Sequence, residues 1–212
     1  RLFNSAGAIS ASDDKVKTAL ALAKYNIPIV DTIPAPICFA GCKRDVSSAE
    51  RAAKILGWPL VIKENKGSFG QQVYLANNAA EAAKILTHIG EHDCLFQRFI
   101  AASKGKDLRV TVVGGKVVCA MERHAASGTE FRSNIGVGGT AVARPVSPLE
   151  EKLALAATAA LGLDFAGVDI LLGRDDSERY VCEVNSNAFF GGIERVTGVN
   201  IAGTYADYLL GL

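Results

Sequence analysis

The chain has 212 residues, 49% of them hydrophobic, and 23 basic against 22 acidic side chains give a formal net charge of +1. That length and apolar content fill one large domain or two small lobes. The balanced charge gives no electrostatic case for nucleic acid or an anionic membrane surface, and no apolar run approaches the roughly 18 residues of a membrane-spanning helix.

In chain order, Ser12 precedes a helical pattern from Asp13 to about Tyr25, with acidic residues where the helix dipole favours them. A short extended segment covers Ile27 to Ile33. Ser47-Ser48-Ala49-Glu50 spells a capping box, opening a helix that Gly57 closes before Trp58-Pro59. An apolar strand from Leu60 to Glu64, a Gly-rich loop from Asn65 to Gln72 and a second strand from Val73 to Ala76 predict a hairpin with a flexible tip. Ala79 to Ile89 has helical apolar spacing, and Cys94 to Ile100 reads as a strand. Leu108 to Val113 and Lys116 to Met121 flank Gly114-Gly115, a two-residue hairpin signal. Ala125 to Thr140 is polar and Gly-rich, without a helical or strand period. Ser147-Pro148-Leu149-Glu150 is a second capping box, with Pro at the first helical position of a helix that runs to about Leu161. A last hairpin follows, then helical turns near Gly192 to Val196 and from Asn200 onward. Hairpins mixed with helices argue for an α+β design of two lobes, with the seam near Gln97.

The five cysteines, Cys38, Cys42, Cys94, Cys119 and Cys182, are odd in number and lie mostly in apolar stretches, as free thiols of a reducing, cytoplasmic compartment do. Cys38 and Cys42 have the spacing of half a zinc site, but no second pair follows. His88, His92 and His124 lack a Ser or Cys partner pattern and read as structural or solvated.

The chemistry concentrates in the last hairpin. Along Gly167-Val168-Asp169-Ile170-Leu171-Leu172, Val168, Ile170 and Leu172 share one face; along Tyr180-Val181-Cys182-Glu183-Val184-Asn185, Tyr180, Cys182 and Val184 do. The other faces carry Asp169, Glu183 and Asn185. A turn running symmetrically from Gly173 to Arg179 sets Asp169 opposite Glu183, with Asn185 next on that side. Two carboxylates so close repel unless a cation sits between them. Hard oxygen donors suit Mg²⁺, which completes its shell with water and substrate phosphates; a solvated polar face is the plainer alternative. Lys63 ends a strand just before Lys66-Gly67-Ser68-Phe69-Gly70, where glycines let backbone N–H groups approach an anion. Such tips are commonplace alone, but beside an oxygen-rich metal site they point to nucleotide phosphates.

With these pieces in order, the chain resembles the RimK-like glutamate ligases of the ATP-grasp superfamily. The resemblance rests on Asn4-Ser5, Asp14-Lys15, Val61-Ile62-Lys63, Phe96-Gln97-Arg98-Phe99-Ile100, Asp107-Leu108-Arg109 and Phe131-Arg132-Ser133-Asn134. It continues through Gly167-Val168-Asp169-Ile170-Leu171, Glu183-Val184-Asn185-Ser186-Asn187, Gly192-Ile193-Glu194, Thr197-Gly198 and Asn200-Ile201-Ala202-Gly203. It implies an ATP-grasp fold in which two α/β lobes clamp a nucleotide. Residues 1–12 would end a preceding domain, 13–96 would form the N-terminal lobe, and 97–212 the C-terminal lobe with the metal site.

The resemblance also implies ATP held with Mg²⁺, or Mn²⁺ in its place. Lys15, Lys63, Gly67, Ser68 and Gly70 would hold phosphates, and Gln97, Arg98 and Phe99 would form the hinge that reads adenine. Asp107 would take the ribose hydroxyls, with Arg109 in support. Arg132 and Asn134 would reach the terminal phosphates, with Arg123 assisting or holding the acyl group, and Asp169, Glu183 and Asn185 would bind the metal. The implied reaction joins a carboxylate to an amine through an acyl phosphate, releasing ADP and phosphate. Its substrate partners would be an amino acid, a peptide or a protein C-terminus, with no nucleic acid or membrane and with oligomerisation left open. The rival is an ATP-binding regulatory or scaffold module without turnover. Arg98 stands where the family often carries an acidic residue, and Asn187-Ala188-Phe189-Phe190-Gly191 replaces a Pro/Gly-containing loop near the substrate end.

Overall fold

The computed structural model describes residues 2–67, 70–128, 130–133 and 138–211. They divide into two compact units, Val30–Phe99 and Arg1–Ile29 with Ile100–Leu212.

In the unit Val30–Phe99 the elements are β1 (Thr32–Pro34), α3 (Ser48–Leu56), β2 (Leu60–Glu64), β3 (Val73–Ala76), α4 (Ala79–Ile89) and β4 (Cys94–Arg98), numbered with the whole chain. The strands form an antiparallel sheet in the order β1-β4-β2-β3. Side-chain alternation then sorts the residues. Leu60, Ile62, Cys94 and Phe96 join Ala49, Ala52, Leu56, Ala82 and Leu86 of the two helices in one core. Val61, Lys63, Leu95 and Gln97 take the opposite face. Gly57 closes α3 as expected, but Ser47 makes no cap. Its hydroxyl donates instead to Asp45 Oδ1 at 2.6 Å, and Arg51 pairs with the other Asp45 oxygen, so a nearby carboxylate displaced the capping box.

The other unit begins with α1 (Ala6–Ser12) and α2 (Lys15–Lys24) and resumes at a 3₁₀ turn (Ala101–Ser103). It continues through β5 (Lys106–Val113), β6 (Lys116–His124), β7 (Thr140–Ala143), α5 (Pro148–Leu161), β8 (Phe165–Leu172), β9 (Arg179–Asn185), α6 (Gly191–Thr197) and α7 (Ile201–Leu210). Its antiparallel sheet runs β7-β6-β5-β8-β9. Gly114 and Gly115 turn the β5–β6 hairpin with φ of 55° and 73°, the left-handed pair that a tight hairpin requires. One face packs Leu108, Val110, Val112, Val168, Ile170 and Val184 against Leu22, Leu153, Ala157 and Leu161. The other is apolar at one end only, where Met121, Phe165 and Ala188 meet Ile193 and Ile201 of α6 and α7.

Two expectations change here. The helix expected from Asp13 to about Tyr25 is α2, which starts at Lys15 after a separate helix, α1, that Asp13 ends; Asp14 caps α2 by accepting from Lys17 N–H at 2.9 Å. Ser12 caps nothing; its hydroxyl donates back to Ile9 O at 3.0 Å. The compact units also divide at Ile29/Val30 and Phe99/Ile100 rather than at 12/13 and 96/97; the first boundary follows Ala8, Leu22 and Ile27, which are buried in the core of the five-stranded sheet. The second capping box forms as read: Ser147 Oγ accepts from Glu150 N–H, and Glu150 Oε2 accepts from Ser147 N–H at 2.8 Å. Among the described residues no helix is long and apolar enough to cross a membrane.

Candidate functional site

The end of the five-stranded sheet that α6 and α7 leave uncovered carries a row of charge. The register aligns Arg109 of β5 with Asp169 of β8, and Asp169 with Glu183 of β9. One rung along, Asp107 of β5 faces Arg123 of β6. Arg109 donates from Nε to Asp169 Oδ1 and from Nη2 to Oδ2, both at 2.7 Å. Arg123 reaches both carboxylates: its Nε donates to Asp107 Oδ1 at 2.7 Å, its Nη2 pairs with Asp107 Oδ2 and lies 3.0 Å from Asp169 Oδ2. Ser133 adds a hydrogen bond to Asp107. Asp107, Arg123 and Asp169 are all buried.

Burial alone would raise the Asp169 carboxyl, but the charges of Arg109 and Arg123, with their hydrogen bonds, hold it at about 2. Burial pushes Asp107 upward, against the pull of Arg123. For Arg123, burial works against the charge, and Asp169 and Asp107 more than offset it, raising its pKa. The repulsion expected between Asp169 and Glu183 is thus relieved on the Asp169 side by two guanidinium groups.

Glu183 sits opposite Asp169 as read from sequence, but through a bulge. Ile170 pairs with Val181 and Asp169 with Glu183, so Cys182 is an extra residue on β9. Val181 and Val184 therefore both face the core, and the single face expected for Tyr180, Cys182 and Val184 is interrupted. The Glu183 side chain is 31% exposed, and Lys15 Nζ lies 3.8 Å from its Oε1. Asn185 directs Nδ2 toward Gly167 O (3.4 Å) and Asp169 Oδ2 (3.5 Å). Gly167 is needed there, since a Cβ would lie 2.6 Å from Ala188 Cβ.

The donor chemistry fits Mg²⁺. A carboxylate offers about four acceptor sites, and the arginines occupy three of those on Asp169. Glu183 and Asn185 add hard oxygens on the same face, the donor type that Mg²⁺ takes. Among the described residues no group of three His, Cys, Asp or Glu side chains is placed to hold a metal. Cys38 and Cys42 likewise find no completing ligands among them, and none of the five cysteines is in a disulfide.

Arg132 is engaged locally. Its Nε donates to Glu130 Oε1 at 2.9 Å and its Nη2 to Oε2 at 2.8 Å, and these bonds hold Glu130 at about 2. Of the residues expected in the other lobe, Lys63 and Gln97 are buried on the face of their sheet opposite α3 and α4. Gln97 Nε2 donates to Thr32 Oγ1 at 2.9 Å. Arg98 is exposed and paired with Asp31, and Phe99 is half-buried. Gly67 and Gly70 take φ of 153° and 70° beside Gln72, whose buried Oε1 lacks a hydrogen-bond partner among the described residues. Ser68 and Asn134, with Phe69, lie outside the described residues. Sequence reasoning missed the arginine clamp on Asp169, for which pairing of β5 with β8 was the only signal.

Comparison with known proteins bears on this arrangement. The family described as RimK-like ATP-grasp domain matches residues 12–209. N-acetylaspartylglutamate synthase A of Homo sapiens is 35% identical over 214 residues, covering 100% of this chain and 53% of that protein. The protein named probable alpha-L-glutamate ligase of Legionella pneumophila (strain Corby) is 38% identical over 209 residues, covering 98% of this chain and 66% of its own length. The chain thus spans only about half to two thirds of these relatives. Among solved structures, the ATP-grasp ligase PsnB complexed with minimal precursor, Mg and ADP superposes with a TM-score of 0.75 at 22% identity, over 99% of this chain and 61% of that one. At that identity the likeness concerns the fold.

Proposed function

The chain belongs to the RimK-like ATP-grasp family, and from that premise we propose that it is the catalytic part of an ATP-dependent carboxylate–amine ligase. In this reading ATP phosphorylates a carboxylate, an amine attacks the acyl phosphate, and an amide forms with release of ADP and phosphate. The observation that carries it is the Arg109–Asp169–Glu183 row with Asn185 beside it, hard oxygens and fixed cations on one sheet face. Such a face can do little covalent chemistry. It can position and neutralise a reacting phosphate, which is what phosphoryl transfer asks of a protein.

Mg²⁺ bound with the nucleotide would supply charge neutralisation of the polyphosphate. Glu183, Asn185 and the remaining site of Asp169 would hold it. Arg109 and Arg123 keep Asp169 ionised and oriented. Asp107 gives both oxygens to Arg123, so we assign it to positioning that arginine rather than to the ribose. Lys15 and Lys63 are assigned to phosphates, with Gly67 and Gly70 offering backbone N–H groups, and the strand from Gln97 to Phe99 to adenine. Arg132 is assigned to the terminal phosphate once released from Glu130. The names of the relatives support glutamate as the amine substrate, and an odd number of cysteines, mostly in apolar stretches of the sequence, supports a reducing, cytoplasmic setting.

The test is phosphate release and product mass for the full-length protein with Mg²⁺, ATP and a panel of carboxylates paired with glutamate. Phosphate release together with an amide product supports the ligase. ATP binding with neither would favour a regulatory module.

A further inference from the structure

β9 is the outer strand of its sheet, and its ladder to β8 ends at the Gly167–Asn185 pair. Glu183 and Asn185 therefore lie on the last rungs of a strand whose far end has no further backbone partner across from it among the described residues. Asn4 takes over at that point. Its buried side chain donates from Nδ2 to Phe165 O (2.8 Å) and to Ser186 O (3.0 Å), while its Oδ1 accepts from the N–H groups of Asp164 (2.6 Å) and Phe165 (2.9 Å). Both donors and both acceptor sites of one amide are used. The bonds join the first residue of β8 to the residue directly after Asn185. Outside, Tyr205 stacks on Phe165 with ring centroids 5.0 Å apart and donates its hydroxyl to Phe3 O at 3.0 Å, holding the segment that carries Asn4.

We propose that Asn4 is a positioning residue for the metal–nucleotide site, fixing the end of β9 so that Asn185 and Glu183 present their oxygens to one cation. The proposal rests on the metal assignment made above. Its physical basis is that a donor's orientation is set by the peptide it hangs from. With Ser186 O released, the backbone directly after Asn185 loses its tie to β8, and the long contacts of Nδ2 to Gly167 and Asp169, 3.4 and 3.5 Å, are too weak to hold the side chain by themselves. A purely structural Asn4 would lower the melting temperature and leave metal affinity alone.

Three variants of the full-length protein decide it: Asn4→Ala, Tyr205→Phe and Asn185→Ala. Mn²⁺ binding to the ADP complex is read by electron paramagnetic resonance, ADP binding in chelator by calorimetry, and folding by thermal melting. Asn4→Ala is expected to weaken Mn²⁺ about tenfold, the scale on which orienting partners of ligands act, while metal-free ADP affinity stays within about twofold. Tyr205→Phe, which removes only the outer hydrogen bond, is expected to weaken Mn²⁺ roughly two- to threefold. Wild-type Mn²⁺ affinity in folded Asn4→Ala, beside a weakened Asn185→Ala, overturns the proposal. Should Asn4→Ala fail to fold, Tyr205→Phe decides: weakened Mn²⁺ supports the role and unchanged Mn²⁺ overturns it. Unchanged Mn²⁺ in Asn185→Ala overturns the metal assignment itself, and the role of Asn4 with it.

Discussion

Replacing Arg109 by Met removes a guanidinium that makes two 2.7 Å hydrogen bonds to a buried carboxylate and keeps most of the apolar stem. Asp169 is then left with Arg123, which it shares with Asp107. Breaking a buried pair by removing one partner costs about 3–5 kcal/mol, because the remaining charge stays buried. Since Arg123 still compensates part of that charge, the lower end, about 3 kcal/mol, is expected. The pH dependence gives a second estimate. The two arginines hold Asp169 at about 2, below the ordinary 3.8, and at 1.36 kcal/mol per pH unit this is worth on the order of 2 kcal/mol. A depressed carboxylate stabilises the fold above its unfolded pKa and loses that contribution as pH falls through the folded value. The gap between wild type and Arg109→Met should therefore be full above about pH 4 and narrow toward pH 2. Urea denaturation of both proteins and of Asp169→Asn and the double variant, at pH 7 and pH 3, measures it. A coupling energy near zero at pH 7, or a gap that grows in acid, would refute the assigned ion pair.

Three further outcomes follow from the same geometry. Glu183→Gln in the full-length protein should lower ligation by roughly 10² to 10⁴ in turnover, on the scale of metal-borne charge stabilisation, with an unchanged melting curve; wild-type turnover at saturating Mg²⁺ would remove Glu183 from the metal set. Gly167→Ala should destabilise by about 1–3 kcal/mol, since its Cβ would meet Ala188 Cβ at 2.6 Å, and Ala188→Gly in the same chain should restore part of the loss. Glu150→Gln should cost about 3 kcal/mol in denaturation, because fully buried Glu150 answers Arg144 and Arg179 at 2.8 Å each and is held at about 2 against burial; a change under about 0.5 kcal/mol would sink that account.

Local chemistry made part of this structure readable. The Ser147 capping box, the Gly114-Gly115 turn and the alternation around Asp169 each depend on residues within a few positions of one another. Where a second local partner competed, the reading failed. Asp45 drew Ser47 away from the helix it was expected to cap, and Asp14 rather than Ser12 opened the helix that bears Lys15. The clamp on Asp169 was not legible because Arg109 lies 60 positions away, on a strand whose partner is set by the order of the sheet. Asn4 is still further, 161 positions from Phe165. Nothing in a short polar segment near the first helix declares that its amide will finish a distant strand.

The agreement at Asp169 and Glu183 holds a further lesson about why the donors face as they do. Near the turn the pairing is Leu172 with Arg179 and Ile170 with Val181, one residue out of step with a symmetric hairpin. Continued regularly, it would bring Asp169 opposite Cys182 and turn Glu183 toward the core face that Val181 occupies, where an unpaired carboxylate costs several kcal/mol. The extra residue Cys182 resets the alternation. Val181 and Val184 can then both be buried, at 2% and 1% exposure, while Glu183 and Asn185 both emerge on the polar face. The bulge reconciles two demands on one short strand, a packed core beneath and two oxygen donors above. Because β9 is the outer strand of its sheet, met on its other side by an isolated bridge where Val181 N–H donates to Pro28 O at 2.9 Å, it can bend to accept that irregularity more readily than β5 or β8 in the middle of the sheet.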